Sequence, residues 1–224
     1  MGNLRISLLG PGDIEAHFYE LMGFSKNRFE SEIESIAKTL ANENIEIELL
    51  PDKGTSLEIA KKYKDYGGKK VIATIPKSDK DFGIKHLKES IETKINKKPL
   101  FDEKINTGDW YKHDLTKGLF GNAILYMGIA PGSEIEFDGA TYIYKLIKGL
   151  KKYIETPAEK IHPELKAGKE TSLKMLIYSP FIKSGKLSEE IEFYLNKYEI
   201  PFYYIHNSKE LKEKLQEIKN NPSN

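Results

Sequence analysis

The chain lacks several features that would narrow its function at once. None of its 224 residues is a cysteine, which excludes disulfides, thiolate metal sites and a cysteine nucleophile. It has no apolar run of the roughly 18 residues that a membrane helix needs. Residues 4–10 are too short for a signal peptide and lack a cleavage pattern. We therefore expect a cytoplasmic protein without a membrane partner.

An excess of charge of one sign is also missing. Lys and Arg number 35 against 34 Asp and Glu, so the formal net charge is +1. Such a balanced chain has no bulk electrostatic attraction to nucleic acid, and a nucleic-acid partner is disfavoured. Lys and Glu are abundant and Gln occurs once, at Gln216. That bias favours a thermophile source, although the many Asn residues oppose it.

Two kinds of catalytic signature are missing as well. No G-x-S-x-G motif is present, so a hydrolase triad has no support. The histidines show no metal-ligand spacing, and we expect no metal site. They are His17, His86, His113, His162 and His206.

What is present is a regular alternation of strand and helix patterns. Hydrophobic residues make up 39% of the chain, enough for one domain, which we place at residues 1–219 with a loose tail at 220–224. Strands are predicted at 4–9, 45–50 and 71–75, separated by helices from 25 and from 55. Asn27 with Glu30, and Thr55 with Glu58, are the predicted helix caps. This alternation predicts an α/β fold with a mainly parallel sheet.

The second part of the chain continues the alternation after a less regular segment, residues 77–120. There the pattern indicates a helix near 84–95, an edge strand near 101–107 and a helix capped by Asp109. Strands follow at 123–127, 173–178 and 201–205, and helices start at 133, at 187 and after Asn207. Residues 157–170 form a polar connection.

Residues 121–136, GNAILYMGIAPGSEIE, are the best candidate for a ligand site. They run from an apolar strand through a Gly/Pro turn into a helix, whose N-terminal N–H groups suit an anion such as phosphate. The predicted binding residues here are Gly128, Pro131, Gly132 and Ser133. A simpler role is also open, in which Ser133 caps the helix and Glu136 completes an S-x-x-E capping box.

A second turn, Gly10-Pro11-Gly12, follows the first strand. Ligands of open parallel sheets bind at the carboxyl ends of the strands, so this turn is expected on the other side of the same crevice. It does not match G-x-G-x-x-G, and a plain strand-ending turn remains the alternative.

The order of these elements resembles the SLOG group of Rossmann-like proteins. This group includes the LOG "lysine decarboxylase-like" phosphoribohydrolases, the molybdenum-cofactor carrier proteins and the Smf-type DNA-processing domain. Asn122-Ala123-Ile124 stands where the family's strand begins, and Pro131-Gly132-Ser133 stands at its P-G-G-x-G-T-x-x-E turn. The resemblance implies a Rossmann-like three-layer α/β/α fold that binds a nucleotide such as AMP, with no required cofactor. It also implies a homodimer, which exposed Tyr and Ile on the helix from residue 133 would allow.

The match departs from the family at the residues that carry its chemistry. Ser133 replaces the second glycine, and the final glutamate of the motif falls at Gly139. Only a gapped alignment places Glu134 or Glu136 at the position of that glutamate. These two are the candidate catalytic residues. The upstream arginine is absent, with Lys112 and His113 nearest. Both are expected on a solvated helix face, from which either could bind a phosphate.

Two functions follow from these residues and the resemblance. The first is a nucleotide-binding protein that senses or carries a nucleoside phosphate without chemistry. The alternative is a nucleoside 5′-monophosphate phosphoribohydrolase, in which a carboxylate stabilises an oxocarbenium-like transition state and base and ribose 5-phosphate are released. A third, Smf-like DNA-binding role is disfavoured by the balanced charge.

Overall fold

The computed structural model describes residues 4–79, 83–150 and 173–221, and gives only the backbone at 83–86 and 147–150. The predicted connection 157–170 and the last tail residues, 222–224, lie outside the described residues. Seven of the described strands form one sheet in the order β6-β3-β2-β1-β7-β8-β9, and every pair is parallel. The strands are β1 (Arg5–Leu9), β2 (Glu46–Leu49), β3 (Val71–Ile75), β6 (Glu103–Asn106), β7 (Ala123–Tyr126), β8 (Met175–Tyr178) and β9 (Phe202–Ile205).

Helices cover both faces of this sheet. The helices are α1 (Lys26–Asn42), α2 (Thr55–Asp65), α3 (Gly83–Ile91), α4 (Trp110–Thr116), α5 (Pro131–Leu150), α6 (Glu189–Lys197) and α7 (Ser208–Asn220). Helices α1, α2 and α7 share one apolar core with one face of the strands. Helices α5 and α6 share a second core with the opposite face. The Rossmann-like three-layer α/β/α fold is therefore confirmed.

Side-chain alternation along the central strands explains the two cores. In β1, Ile6 and Leu8 belong to the first core and Leu9 to the second. In β7, Leu125 lies in the first core and Tyr126 in the second. Successive strand residues point to opposite faces, so a strand covered on both sides reads as one continuous apolar run.

Smaller elements fill the connections. A short π-helix at Glu15–Leu21 follows β1, in the stretch for which the sequence has no clear period. Strands β4 (Lys94–Ile95) and β5 (Lys98–Pro99) form an antiparallel hairpin between α3 and β6. Ile95, expected on a helix, therefore lies in this hairpin. A 3-10 turn, Lys117–Leu119, extends α4.

Of the caps predicted for α1, α2, α4 and α7, two are wrong and two are confirmed. Ser25 caps α1 by accepting from the N–H of Arg28, in place of Asn27. Helix α2 already includes Thr55, whose side chain makes a tertiary contact instead. Asp109 caps α4 and Asn207 caps α7 as predicted. Among the described residues, no helix has both the length and the apolarity required to cross a bilayer.

Candidate functional site

The strand order creates a crevice between β1 and β7. From β1 the sheet grows in one direction through β2, β3 and β6, and in the other through β7, β8 and β9. The strands run in parallel register, with Leu9 beside Tyr126, so both end at the same edge. An open α/β sheet binds its ligands at such a switch point. The turns after β1 and β7, both predicted from the sequence, meet there.

The two turns are in direct contact through Gly128. Its φ of +127° lies in the left-handed region, where a side chain is strained. A Cβ at this position would lie 2.7 Å from Nε2 of His17 and 3.0 Å from Cγ of Pro11. Only glycine allows the turn after β7 to approach the turn after β1 this closely.

The N-terminus of α2 is tied to the same crevice. The backbone N–H and the hydroxyl of Thr55 both donate to the carbonyl oxygen of Pro11, each at 3.0 Å. The Thr55 hydroxyl therefore anchors the first turn of the crevice. A groove of about 560 Å³ opens beside it, lined by Gly12, Asp13, Ile14, Asp52, Lys53, Gly54, Leu57, Glu58 and Lys61.

The helix N-terminus after β7 differs from the predicted one. Helix α5 begins at Pro131, and the Ser133 hydroxyl donates to the carbonyl oxygen of Gly128 at 2.8 Å and accepts from the N–H of Ala130 at 3.1 Å. Ser133 thus closes the turn from inside the helix, and the predicted start at Ser133 is wrong. Since Pro131 has no N–H, the N–H groups without an intrahelical partner in this first turn are those of Gly132 and Ser133.

Glu136 lies behind this turn in a buried ion pair. Its Oε2 is 2.7 Å from Nζ of Lys117, and the two residues are 6% and 3% exposed. Lys117 also donates to the carbonyl oxygen of Leu8 at 3.2 Å. Burial is the largest single effect and favours a raised pKa of Glu136, but Lys117 and His113 together outweigh it, so the pKa is lowered. The predicted capping box is wrong, because Glu136 binds Lys117. Glu134, the other candidate carboxylate, is exposed.

His113 belongs to the same buried cluster. The expectation that it is solvated is wrong, because its side chain is fully buried. Its Nδ1 lies 2.8 Å from Oγ1 of Thr107, and its Nε2 lies 3.8 Å from Oε1 of Glu136. Burial lowers the pKa of His113, which favours the neutral imidazole. The neighbouring Lys112 is half-buried on α4.

Close packing of α4 against α5 assembles this cluster. A Cβ at Gly139 would lie 2.7 Å from the carbonyl oxygen of Asp114, so no side chain fits there. Gly139 is the position at which the SLOG motif has its glutamate. Glu136 stands one helical turn earlier, on the same face of α5.

Glu48 adds a second buried carboxylate on the central sheet. It lies in β2 beside Ser7 of β1 and is fully buried. The Thr74 hydroxyl donates to its Oε1 at 2.6 Å, whereas its Oε2 has no hydrogen-bond partner among the described residues. Burial raises the pKa of Glu48 to about 7, and the Lys117 ammonium opposes that rise.

Sequence reasoning missed Lys117 and Glu48. Glu48 looks like the polar half of an alternating strand, IEIELL, but in a central strand covered on both faces its side chain must be buried. Lys117 lies in the segment that resembles the family, TKGLF, a few residues beyond the positions compared with the family's arginine. The adjacent Gly118 allows this segment to approach α5, because an added Cβ would lie only 2.8 Å from Cβ of Ala140, but a single glycine in the sequence does not reveal that contact.

No protein-family model and no curated protein matches this sequence. Solved structures do match its fold. The Moco carrier protein of Chlamydomonas reinhardtii is 14% identical with a TM-score of 0.57, and the match covers 98% of this chain and 99% of that one. The molybdenum cofactor binding protein of Rippkaea orientalis is 13% identical with a TM-score of 0.55 and the same coverage.

These likenesses concern the fold. They confirm the fold that the resemblance to the SLOG group implies, because the matched structures include molybdenum-cofactor carrier and binding proteins. The chain shares that fold at 13–15% sequence identity.

Proposed function

We propose that the protein binds a nucleoside phosphate in the crevice between β1 and β7 and acts as a sensor or carrier. The observation that carries this proposal is the convergence of two glycine turns at the switch point, with the N–H groups of Gly132 and Ser133 at the start of α5. A helix N-terminus attracts an anion through these N–H groups and through its dipole. The similar folds include proteins described as cofactor carriers, which supports binding without chemistry.

The carboxylates support binding more than hydrolysis. A phosphoribohydrolase needs a carboxylate that reaches the sugar, but Glu136 is held by Lys117 at 2.7 Å and is almost inaccessible. Glu134 is exposed to solvent in the first turn of α5, and no described contact orients its carboxylate toward the crevice. Gly139 leaves no room for a carboxylate at the motif position.

A thermal-shift panel tests the proposal. AMP, GMP, IMP, CMP and UMP are compared with adenosine and inorganic phosphate. A ligand at 100 times its Kd adds about 2.7 kcal/mol, which corresponds to a Tm increase of about 5–10 °C for a chain of this size. We expect an increase with nucleoside monophosphates that adenosine does not reproduce. If no nucleotide raises the Tm, the proposal is wrong.

Gly132 offers a matched pair of variants for locating the site. A Cβ at this exposed position meets no atom within 4 Å, so both Gly132→Asp and Gly132→Asn should fold. The aspartate places a negative charge at the anion site and should weaken nucleotide binding at least tenfold, whereas the isosteric asparagine should not. Equal affinities in the two variants would place the phosphate elsewhere.

Two further measurements separate this function from its rivals. Chromatography of the incubated nucleotides should show no free base; release that is lost in Glu134→Gln or Glu136→Gln would establish the phosphoribohydrolase instead. The molybdenum cofactor, assayed anaerobically, is the third ligand class. A Tm increase with it alone would reassign the protein from nucleotide to cofactor binding.

The homodimer stays a prediction. Exposed apolar side chains on α4 and α5 support it, namely Tyr111, Leu115, Ile135 and Tyr142. Sedimentation velocity on the wild type and on Tyr142→Lys would test it, with a dimer expected only for the wild type.

A further inference from the structure

The buried cluster between α4 and α5 holds three side chains of metal-ligating type. His113, Asp114 and Glu136 each offer one ligand atom, and these atoms all lie within 4.8 Å of one another. The first two are consecutive in α4 and the third comes from α5, so their spacing in the sequence carries no metal signal. The approach of the two helices at Gly139 brings them together.

One ring nitrogen of His113 has no hydrogen-bond partner in the part of the chain that the structure describes. The side chain is fully buried, and Nε2 makes no hydrogen bond among the described residues. This nitrogen lies 3.8 Å from Oε1 of Glu136, beyond hydrogen-bond reach. Leaving a buried polar atom unpaired costs about 1–3 kcal/mol. An ion between the two atoms would satisfy both.

The surroundings provide outer partners for two of these ligands. Metal-binding histidines usually donate their other ring N–H, which fixes the ring orientation. Here Nδ1 of His113 lies 2.8 Å from the Thr107 hydroxyl. Lys117 donates a hydrogen bond to Oε2 of Glu136 and none to Oε1, so Oε1 is the oxygen that can bind an ion. Lys117 is in turn bound to the carbonyl oxygen of Leu8.

We propose that His113, Asp114 and Glu136 form a binding site for a divalent transition-metal ion, with Zn²⁺ the best fit. An imidazole with two carboxylates is a donor set that Zn²⁺ accepts, whereas Ca²⁺ and Mg²⁺ prefer oxygen ligands alone. Zinc bonds of about 2.1 Å in tetrahedral geometry separate two ligand atoms by about 3.4 Å. Nε2 of His113 and Oε1 of Glu136, 3.8 Å apart, are already close to this separation. The half-buried side chain of Asp114 can rotate to complete the geometry. The two carboxylates neutralise the ion, and water completes the coordination.

The site is independent of the proposed nucleotide binding. It lies behind the crevice, and its ligands are not the N–H groups proposed for the phosphate. Failure of either proposal therefore leaves the other intact.

Metal binding is measured on the tag-free full chain after dialysis against EDTA. Calorimetric titration with Zn²⁺ should give one ion per chain, and Co²⁺ should produce the intense visible absorption of four-coordinate cobalt. Asp114→Asn and His113→Gln should each weaken Zn²⁺ binding by more than tenfold. Glu134→Gln, an exposed carboxylate on the same helix as Glu136, and His206→Gln, an exposed histidine, should leave it unchanged.

Thr107→Val distinguishes a metal site from a merely structural polar cluster. It removes the hydroxyl beside Nδ1 while leaving the three ligands in place, and such outer-partner changes typically weaken metal binding about 10–100-fold. Circular dichroism and urea unfolding show whether each variant is folded. The proposal is overturned if the folded wild type binds neither Zn²⁺ nor Co²⁺. It is equally overturned if binding is the same in Asp114→Asn and Glu134→Gln.

Discussion

Replacing Lys117 by methionine should destabilise the protein far more than replacing an exposed lysine. The change leaves Glu136, 6% exposed, without the ammonium that lies 2.7 Å from its Oε2. His113, whose pKa is lowered by burial, does not replace that positive charge. Removing one member of a buried ion pair costs about 3–5 kcal/mol. For a chain of this length that corresponds to a Tm decrease of about 6–20 °C.

Urea unfolding in EDTA measures this loss, followed by circular dichroism and by the fluorescence of Trp110, the single tryptophan. Its ring centroid lies 5.6 Å from that of His113, so it reports on the cluster. Lys209→Met is the matched control, because the Lys209 side chain is 84% exposed and its Nζ lies 3.9 Å from Oε1 of Glu213. This substitution should lower the free energy of unfolding by no more than about 1 kcal/mol.

A double variant completes the test. In Lys117→Met with Glu136→Leu both charges are gone, and apolar replacement of a whole buried pair is often neutral or stabilising. Stability should therefore return most of the way to the wild type. If Lys117→Met costs no more than the Lys209 control, or if the double variant is less stable than the single one, the reasoning about a buried charge pair is refuted.

Three further predictions concern other parts of the fold. Burial raises the pKa of Glu48 from 4.5 to about 7, so its contribution to stability is complete below about pH 4.5 and is lost as the pH rises through 7. In urea unfolding, Glu48→Gln should therefore gain roughly 2.5 kcal/mol relative to the wild type between about pH 5 and about pH 8, and a pH-independent difference would contradict this. Gly128→Ala should lower the Tm by several degrees because of its positive φ and its contact with His17, a strained position for any side chain, whereas Gly132→Ala, with open space around it, should not. Tyr63→Phe should lower the free energy of unfolding by about 1–2 kcal/mol, because the buried hydroxyl donates to the carbonyl oxygen of Ile45 at 2.6 Å and accepts from the N–H of Lys70. Tyr194→Phe, at an exposed tyrosine, is the control. Equal losses of stability in urea unfolding would contradict this role of the Tyr63 hydroxyl.

The order of strands and helices could be predicted because the apolar residues of each element recur at the spacing that places them in the core. Strand β3 matches its predicted bounds, residues 71–75, since its apolar run is buried on both faces and ends at Pro76. The predicted caps were less secure. Thr55 and Ser133 both fit an S/T-x-x-E pattern, yet their hydroxyls bind the carbonyl oxygens of Pro11 and Gly128. A capping pattern cannot show that the hydroxyl has another partner nearby, whether distant in sequence, as for Thr55, or in the preceding turn, as for Ser133.

The position of the crevice was also predictable in part. Parallel strands joined by helices place Gly10 and Gly128 at one edge of the sheet, which needs only the strand order. The buried pair of Glu136 and Lys117 could not be predicted from the strand order alone. Glu136 faces Lys117 only because Gly139 lets α5 approach α4, and that contact depends on packing between helices. The sequence alone therefore points to Glu136 as a residue of interest and misassigns its partner.

The central position of β1 makes the order of synthesis important. Ile6 pairs with Ile47 on one side and with Ala123 on the other, so the second edge of β1 stays open until β7 leaves the ribosome. At about 5–20 residues per second, some 77 residues of synthesis between the ends of β2 and β7 take about 4–15 s. During that time the edge of β1 that pairs with β7 in the finished sheet is unpaired, and an open strand edge can pair with other chains. Folding of this protein should therefore be slow and sensitive to chain concentration.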